Sequence, residues 1–246
     1  MNHVATFDHL IHWVDDLDTA SASYESAGIP VTPALTMPGF RNAAWGIDDE
    51  RYVELACVDD WNAVESSPYG ESLAILRPAV EALRGPGPLT FAVHVPDARA
   101  VASRLRASGH AVEEVDVHLH DRDAGFVEVF ASDAPTHFPF FITYDPPRAD
   151  IARMRADHRR AHGISFDGRP DLIALLIGST APDADAVLLG EFIGCQVRGR
   201  TVELPGAELR LTDDAPRGLY GIAVRDPNLR DSRPVDVSGM SIVHDG

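Results

Sequence analysis

The feature that most constrains the fold of this chain is one pattern that occurs three times. Each copy is a short apolar run, then one or more aspartates, then a helical stretch that ends at a glycine. The three glycines are Gly28, Gly109 and Gly194, which lie 81 and 85 residues apart. Aspartate at a helix start accepts unpaired backbone N–H groups, and glycine just past the end adopts the left-handed conformation. Repetition at so long a period indicates tandem structural modules.

Several strand-like segments follow each helical stretch, so that one module has the order β-α-β-β-β. The predicted strands are 7–14, 29–35, 43–47 and 51–58 in the first module, 90–95, 111–117, 125–131 and 138–144 in the second, and 171–177, 196–198, 201–204, 208–211 and 219–224 in the third. Short apolar runs bounded by turn residues support these assignments. The predicted fold class is therefore α+β, with tandem βαβββ modules.

The modules also suggest how the chain is divided into domains. We expect residues 1–147 to form one domain, in which the first two modules pair into a cup-shaped sheet. Residues 148–246 are expected to hold a linker helix, the third module and a tail from Asp226 that wraps the surface or frays. The third module has no predicted partner in the chain, so we expect it to pack against the pair or to support a homodimer. A further helical linker is predicted within 59–88, before the second module.

Composition and charge exclude several classes of function. The 246 residues carry a net charge of −17, which disfavours binding to nucleic acid or to an anionic membrane surface. All 21 basic residues are arginine, so Schiff-base and P-loop chemistry, which need lysine, are excluded. The two cysteines, Cys57 and Cys195, lie far apart and are most simply small core residues. No secretion signal or run of 18 apolar residues is found, so a cytoplasmic location is expected.

Five short motifs carry a resemblance to a known family. They are Phe7-Asp8-His9-Leu10, Asp15-Asp16-Leu17, Arg41-Asn42, Tyr52-Val53-Glu54-Leu55 and Pro139-Phe140-Phe141-Ile142. In their order and spacing, over roughly residues 5–225, they resemble the vicinal oxygen chelate (VOC) superfamily and its glyoxalase-like branch. The resemblance implies that two modules pair around one divalent metal, such as Zn, Mn, Ni or Fe, held by ligands on the first and fourth strands of each module. Matched by position, His9 and Glu54 would be metal ligands and catalytic residues.

The second module departs from this family pattern. Thr90 takes the position of His9, and the segment that corresponds to Glu54 is the Phe-rich strand at 138–141. At most two of the four family ligands are therefore present, whereas three protein ligands are usual for a catalytic metal. Other polar side chains could complete a metal shell or bind a substrate, and these are Glu128, His118 and His120. The sequence leaves open whether a metal is bound at all.

Further residues are predicted to line the cup and contact a small molecule. Asn42 could hydrogen-bond a ligand oxygen, and Arg41 could meet an anion, although the pair could equally tie loop backbone. Trp13, Trp45 and Phe140 could form aromatic walls, or could belong to the core. The Arg-rich stretch at 148–162 is more consistent with an internal seam of ion pairs than with an anion site.

Two functions from different classes remain open at this point. The first is a metal-dependent lyase, isomerase or dioxygenase that acts on a small oxygen-rich substrate, with Glu54 or Glu128 moving a proton. The second is a metal-free protein that binds a small molecule in the same cup, for sequestration or resistance. A purely structural dimer module is a weaker third alternative, because the fold alone does not decide function.

Overall fold

The computed structural model describes residues 5–119, 124–163, 165–166, 168–226 and 233–245. The first module contains β1 (Thr6–Trp13), α1 (Leu17–Ser26), β2 (Thr32–Met37), β3 (Phe40–Gly46) and β4 (Tyr52–Val58). Two linker helices follow, α2 (Trp61–Val64) and α3 (Gly70–Leu83). The second module contains β5 (Gly87–His94), α4 (Ala98–Ala107), β6 (Val112–Leu119), β7 (Ala124–Ala131) and β8 (Phe140–Asp145).

The rest of the chain begins with a third linker helix, α5 (Arg148–Ala161). The third module contains β9 (Asp171–Gly178), α6 (Pro182–Ile193), β10 (Val197–Arg198), β11 (Thr201–Val202) and β12 (Glu208–Thr212). Three further strands follow, β13 (Gly218–Arg225), β14 (Val235–Val237) and β15 (Met240–His244). The α+β fold class and its tandem modules are confirmed.

Helices α1 and α4 begin where their aspartates predict, whereas α6 begins at Pro182 with Ala181 as its N-cap and carries Asp183 and Asp185 in its first turn. The Asp16 side chain accepts a hydrogen bond from the Thr19 backbone N–H at 2.7 Å and caps α1, and Asp97 caps α4 in the same way. Gly194 ends α6 with a φ of 88°, a left-handed conformation that costs glycine little. The repeated pattern in the sequence therefore reflects repeated local structure.

The first two modules form one eight-stranded sheet with the order β2-β3-β4-β1-β5-β8-β7-β6. Within each module the first strand pairs in parallel with the fourth, β1 with β4 and β5 with β8. The two modules meet where β1 and β5 pair antiparallel. The predicted pairing of modules one and two into a cupped sheet is confirmed.

A second sheet has seven strands, with the order β10-β11-β12-β9-β13-β15-β14. Its centre repeats the first sheet, because β13 pairs antiparallel with β9, and β15 pairs in parallel with β13. The strand predicted to end the third module, β13, therefore begins a partial fourth module. Two expectations are therefore wrong. The third module was expected to have no partner in the chain, but the partial fourth module is its partner. The tail was expected to wrap the surface or fray, but it supplies β14 and β15. The physical reason is that the edge of β9 is paired by strands of the same chain.

The two sheets share one hydrophobic core. From the first sheet it includes Phe7, Leu10 and Trp45, and from the second it includes Leu175 and Ile222, all fully buried. Helices α1, α4 and α6 also contribute to this core, so one face of the first sheet is closed by protein. A division into separate domains at 147 and 148 stays a prediction.

The Arg-rich stretch forms α5, and it makes the predicted ion pairs. Arg148 pairs with Asp8 and Glu50, and Arg159 pairs with Asp49, so α5 is tied to the first module. Within the described ranges, no helix is long and apolar enough to cross a bilayer. The cytoplasmic location, the lack of nucleic-acid and membrane partners, and the homodimer stay predictions.

Candidate functional site

The opposite face of the first sheet is concave and carries the candidate site. On β1, the register against β5 shifts between Phe7 and His9, which marks a bulge. Side chains on a regular strand alternate between faces, but this bulge lets Asp8 and His9 meet. The His9 Nδ1 atom lies 2.7 Å from Asp8 Oδ1, and the two side chains are almost fully buried.

Asp8 is held as an anion by several partners. It accepts a hydrogen bond from the Tyr144 hydroxyl at 2.7 Å and forms an ion pair with Arg148, with 2.9 Å between Nε and Oδ2. Burial by itself would raise the pKa of Asp8. The hydrogen bonds from His9 and Tyr144 and the charges of His9 and Arg148 together lower the pKa by more than burial raises it. The pKa of Asp8 therefore lies below its ordinary value.

The Asp8 carboxylate decides which tautomer His9 adopts. Because an ionised carboxylate only accepts hydrogen bonds, His9 Nδ1 must carry a proton and donate a hydrogen bond to Asp8. The neutral ring then has its lone pair on Nε2, which faces Glu54 Oε2 at 3.7 Å. The ring stacks on Tyr52 at 4.6 Å and meets the edge of Phe140 at 5.7 Å. His9 thus has the orientation of a general base.

Glu54 is positioned by its neighbour on the next strand. The Asn42 side-chain amide donates to Glu54 Oε1 at 2.6 Å, and the Asn42 carbonyl oxygen accepts from the Leu35 backbone N–H at 2.7 Å. The second contact fixes which end of the amide faces Glu54. Asn42 and Glu54 therefore lie together on the concave face, as the sequence predicted, and they act on each other.

A second carboxyl group approaches from the other module. Glu128 on β7 lies opposite Ile142 on β8, and only 8% of it is exposed. Burial raises the pKa of Glu128 to about 7, and nearby Glu54 adds to this, while the Ser72 hydrogen bond and His9 only partly offset it. The Ser72 hydroxyl, on α3, donates to Glu128 Oε2. Glu128 can therefore hold a transferable proton near neutral pH.

Two of the predicted aromatic residues lie on the concave face. Phe140 contacts the His9 ring and stacks on Phe130 at 5.0 Å between ring centroids. Trp13 stacks on Trp61 of α2 at 5.9 Å, so the linker covers it. Both residues therefore belong to the cup, and their contact with a ligand stays a prediction.

Three other predicted residues do not face the cup. Arg41 points the opposite way from Asn42 and pairs with Asp59, with 2.7 Å between Nε and Oδ2. Trp45 is fully buried in the core between the sheets. His118 is exposed and alternates with the cup-facing residues of β6, so it shares the outer face with Asp116. These expectations are corrected because neighbouring side chains of a strand point to opposite faces. His120 lies outside the described residues.

Sequence reasoning missed three members of the site, which are Asp8, Ser72 and Arg148. Asp8 gave a signal, since a charged residue inside an apolar strand is costly to bury without a partner. The bulge that turns it toward His9 has no such signal. Ser72 and Arg148 lie on linker helices, and only the tertiary structure brings them to the strands.

The donor set does not fit the divalent metal that the resemblance implies. His9 and Glu54 are present, but the corresponding residues of the second module are Thr90 and Phe140, and Thr90 donates its hydroxyl to the Phe138 carbonyl at 3.2 Å. Across the described ranges, no three His, Cys, Asp or Glu side chains converge as metal ligands. Burial raises the pKa of Glu128 to about 7, which disfavours the carboxylate anion that would act as a ligand. Metal binding stays a prediction of the family resemblance.

Two surface clefts lie next to the buried pair. One, of about 330 Å³, is lined by Tyr144, Phe126 and neighbouring residues of β6 to β8. The other, of about 390 Å³, is lined by Arg148, Glu50, the start of β1 and the loop between β11 and β12. Tyr144 and Arg148 are both partners of Asp8, so each cleft is lined by one residue that contacts the buried carboxylate.

The paired modules, the cupped sheet and the polar groups on its concave face define a VOC-type chain. The family model described as a glyoxalase-like domain matches residues 7–184. The chain therefore belongs to the glyoxalase-like domain family of the VOC superfamily. Among curated proteins, none matches it in sequence.

Solved structures share the fold at low sequence identity. A hypothetical protein from Staphylococcus aureus is 16% identical, with a TM-score of 0.74, and the match covers 98% of this chain and 99% of that one. A mutant of 4-hydroxymandelate synthase from Streptomyces coelicolor is 13% identical, with a TM-score of 0.51 and coverage of 91% and 71%. Methylmalonyl-CoA epimerase from Mycobacterium tuberculosis is 22% identical, with a TM-score of 0.40 and coverage of 58% and 90%. At these identities the likeness to the first two structures shows the fold alone.

Proposed function

We propose that the concave site catalyses proton transfer on a small oxygen-bearing molecule, as an isomerase or lyase, using side chains alone. One observation supports this most directly: the buried Asp8–His9 pair faces Glu54 and lies near Glu128, whose pKa is about 7. Two titratable groups whose environments suit opposite roles are typical of acid–base catalysis.

In the first step His9 acts as the base. Its Nε2 lone pair takes a proton from a carbon next to the substrate carbonyl, and the electrons of the C–H bond form a C=C bond. The resulting imidazolium is stabilised by Asp8, 2.7 Å from Nδ1, and by Glu54, 3.7 Å from Nε2. Orientation of the base by a buried carboxylate is the arrangement found in catalytic triads.

Glu128 acts as the acid in the same step. Its carboxyl proton moves to the substrate oxygen as the C=O bond becomes C–OH, which gives an enol. The carboxylate left behind accepts the hydrogen bond from Ser72. With an α-hydroxycarbonyl substrate this enol is an enediol. His9 then returns its proton to the former carbonyl carbon, and the electrons of the C=C bond form the new C–H bond. The other hydroxyl gives its proton to Glu128 as its C–OH becomes C=O, so the carbonyl moves by one carbon and the isomerisation is complete.

A metal-free binding function is the second candidate. It is favoured by the apolar and aromatic composition of the concave face, which includes Phe130, Phe140, Phe126 and Tyr144 around the polar groups. In this alternative His9 and Glu54 provide hydrogen bonds that orient a ligand, with no chemical step.

Proton exchange at carbon distinguishes the two candidates. Pyruvate and hydroxyacetone are incubated with the protein in D₂O, and loss of their carbon-bound ¹H signals is followed by NMR. We expect exchange above the buffer rate, and a fall of about 10²-fold or more in His9→Asn and Glu128→Gln. His110→Asn is the matched control, because His110 lies away from the site, beside Asp133 at 3.3 Å and the Phe192 ring at 5.4 Å, and its loss should leave the exchange rate unchanged. Equal exchange by wild type and His9→Asn overturns the proposal.

If neither probe exchanges, the same compounds are used as ligands in a thermal-shift assay. An increase in Tm that His9→Asn removes supports the binding candidate, because the ligand then needs the imidazole without being turned over.

A further inference from the structure

The linker between the first two modules lies across the mouth of the cup. The Tyr69 ring, at the start of α3, contacts Phe40 on β3 at 5.5 Å and Phe126 on β7 at 5.7 Å. These strands lie second from opposite edges of the eight-stranded sheet. One side chain therefore bridges the two rims of the cup.

Three more contacts hold the linker in place. Ser72, three residues after Tyr69, donates its hydroxyl to Glu128 inside the cup. Trp61, on α2, stacks on Trp13 of β1 with an angle of 17° between the rings. Leu73 is 6% exposed and packs in the same apolar cluster as Phe140. The first half of α3 thus covers the groups that the proposed chemistry uses.

The second half of α3 is held less firmly. Its apolar residues Leu76, Val80 and Leu83 are only half-buried, in contrast to Leu73. The helix ends at Arg84 in the left-handed conformation, followed by Gly85 with a φ of 143°. Glycine tolerates that backbone conformation, so it can also absorb a change in backbone direction at this end.

The linker can move without breaking either sheet. Helices α2 and α3 pair with no strand, and side-chain packing and the Ser72 hydrogen bond attach them to the concave face. The chain is anchored just before α2, where the backbone N–H groups of Asp59 and Asp60 donate to the Gly39 carbonyl. The site needs some element to move, because His9 is 4% exposed and Glu128 is 8% exposed. So little exposed surface leaves His9 almost no contact area for a substrate while the cover is closed.

We propose that residues 61–83 form a lid, with Ser72 as its latch on Glu128 and the segment after Leu83 as its hinge. When the lid opens, it admits the small molecule to His9. When it closes, it excludes water and returns the Ser72 hydroxyl to Glu128. The inference rests on the proposed function only in naming the site that the lid covers.

Diethyl pyrocarbonate, which acylates unprotonated imidazole nitrogens, tests the lid without a substrate. Modification of each histidine is followed by peptide mass spectrometry in the full chain. The matched control is His12, on the same strand but the opposite face, fully buried and hydrogen-bonded through both ring nitrogens. In the wild type we expect His9 to react faster than His12. Tyr69→Ala should raise the acylation rate of His9 at least threefold relative to Tyr69→Phe, which keeps the ring. The acylation rate of His12 should be the same in both variants.

Two outcomes overturn the lid. One is a wild-type His9 that reacts no faster than His12, and the other is an equal rise at both histidines in Tyr69→Ala, which shows general loosening. If Tyr69→Ala fails to fold, amide hydrogen exchange of the wild type tests the lid instead. The lid requires the amides of residues 71–83 to exchange faster than those of β5. If the modification rates show an opening lid but no carbon-bound proton exchanges in the NMR assay, the lid stands and only the proposed chemistry is overturned.

Discussion

His9 and Asp8 are neighbours on one strand, yet their side chains meet at 2.7 Å. On a regular strand they would point to opposite faces, and the shift in register between Phe7 and His9 is what lets them meet. The contact fixes the proton on Nδ1 and leaves Nε2 free to face the cup. The site therefore depends on a backbone irregularity as much as on the residues themselves.

Asp8→Asn should reduce both activity and stability. The neutral amide no longer requires a proton on His9 Nδ1, and it leaves the Arg148 guanidinium, which is 10% exposed, without its buried anion. Breaking a buried pair in this way costs about 3–5 kcal/mol. Urea unfolding measures the loss, with Asp59→Asn as control, because the pair of Asp59 with Arg41 is exposed and should cost less than about 1 kcal/mol. Equal losses in the two variants would contradict the assigned role of Asp8.

The raised pKa of Glu128 should make the free energy of unfolding fall as pH rises. Its pKa is raised from 4.5 to about 7, so between these values the folded chain keeps a proton that the unfolded chain has released. Its contribution is fully present below pH 4.5 and is lost as pH rises to about 7, by roughly 3 kcal/mol. Glu128→Gln removes this dependence, so the stability of wild type relative to the variant should be greater at pH 4.5 than at pH 8. Urea unfolding at both pH values checks this, and an unchanged difference would refute it.

Ser72→Ala should raise the pKa of Glu128. The Ser72 hydroxyl stabilises the ionised form of this carboxyl, so its removal favours the protonated form. The measurement is an infrared pH titration of the protonated carboxyl band, assigned by its absence in Glu128→Gln. Ser103→Ala is the control, since the Ser103 hydroxyl bonds to the Arg99 carbonyl on the exposed side of α4. A titration that Ser72→Ala does not shift would show that the two groups are not coupled in solution.

His12→Asn should weaken the attachment of the partial fourth module. His12 Nδ1 lies 2.6 Å from the Tyr24 hydroxyl, and Nε2 lies 2.9 Å from the Ser238 carbonyl. Burial lowers the pKa of His12 to about 4, so its contribution is present above pH 6.5 and is lost as pH falls toward 4. We expect the variant to lose about 2–4 kcal/mol at pH 8 and less at pH 5 by urea unfolding. His110→Asn should cost little at either pH, and the opposite pH trend would contradict the assignment.

Removal of divalent metal should leave the protein unchanged. His9 and Glu54 supply two donors where a catalytic metal usually has three, so dialysis against EDTA should alter neither Tm nor carbon-proton exchange. Metal analysis of untagged protein purified without chelators, compared with Glu54→Ala, checks this. About one equivalent of metal, lost in the variant, would restore the chelate mechanism that the family resemblance implies.

Much of the architecture could be predicted from the sequence because its signals are local. Asp16 and Asp97 cap helices through backbone groups three residues away, and Gly194 adopts its left-handed conformation within one turn. Repetition of these signals indicates repeated modules, and apolar runs give the strands. The placement of Asn42, Glu54 and Glu128 on the concave face follows from alternation along regular strands, which a sequence also displays.

The partial fourth module could not be predicted in this way. Strands β14 and β15 are short and lie in a polar tail. Strand β15 is stabilised by pairing with β13, and β14 by pairing with β15, rather than by their own composition. The predictions that Arg41, Trp45 and His118 face the cup were wrong for a related reason. A motif places a residue on a strand, but only the register against neighbouring strands decides which face is the cup.

By itself, the sequence determined the modules, the helix ends and the strand positions of His9 and Glu54, since each rests on contacts within a few residues. Only the tertiary structure decided the chemistry of the site. A bulge joins Asp8 to His9, burial sets the pKa of Glu128 near 7, and α3 brings Ser72 across the cup to a residue 56 positions away. Burial and long-range hydrogen bonds depend on which elements meet, and that is a property of the folded chain.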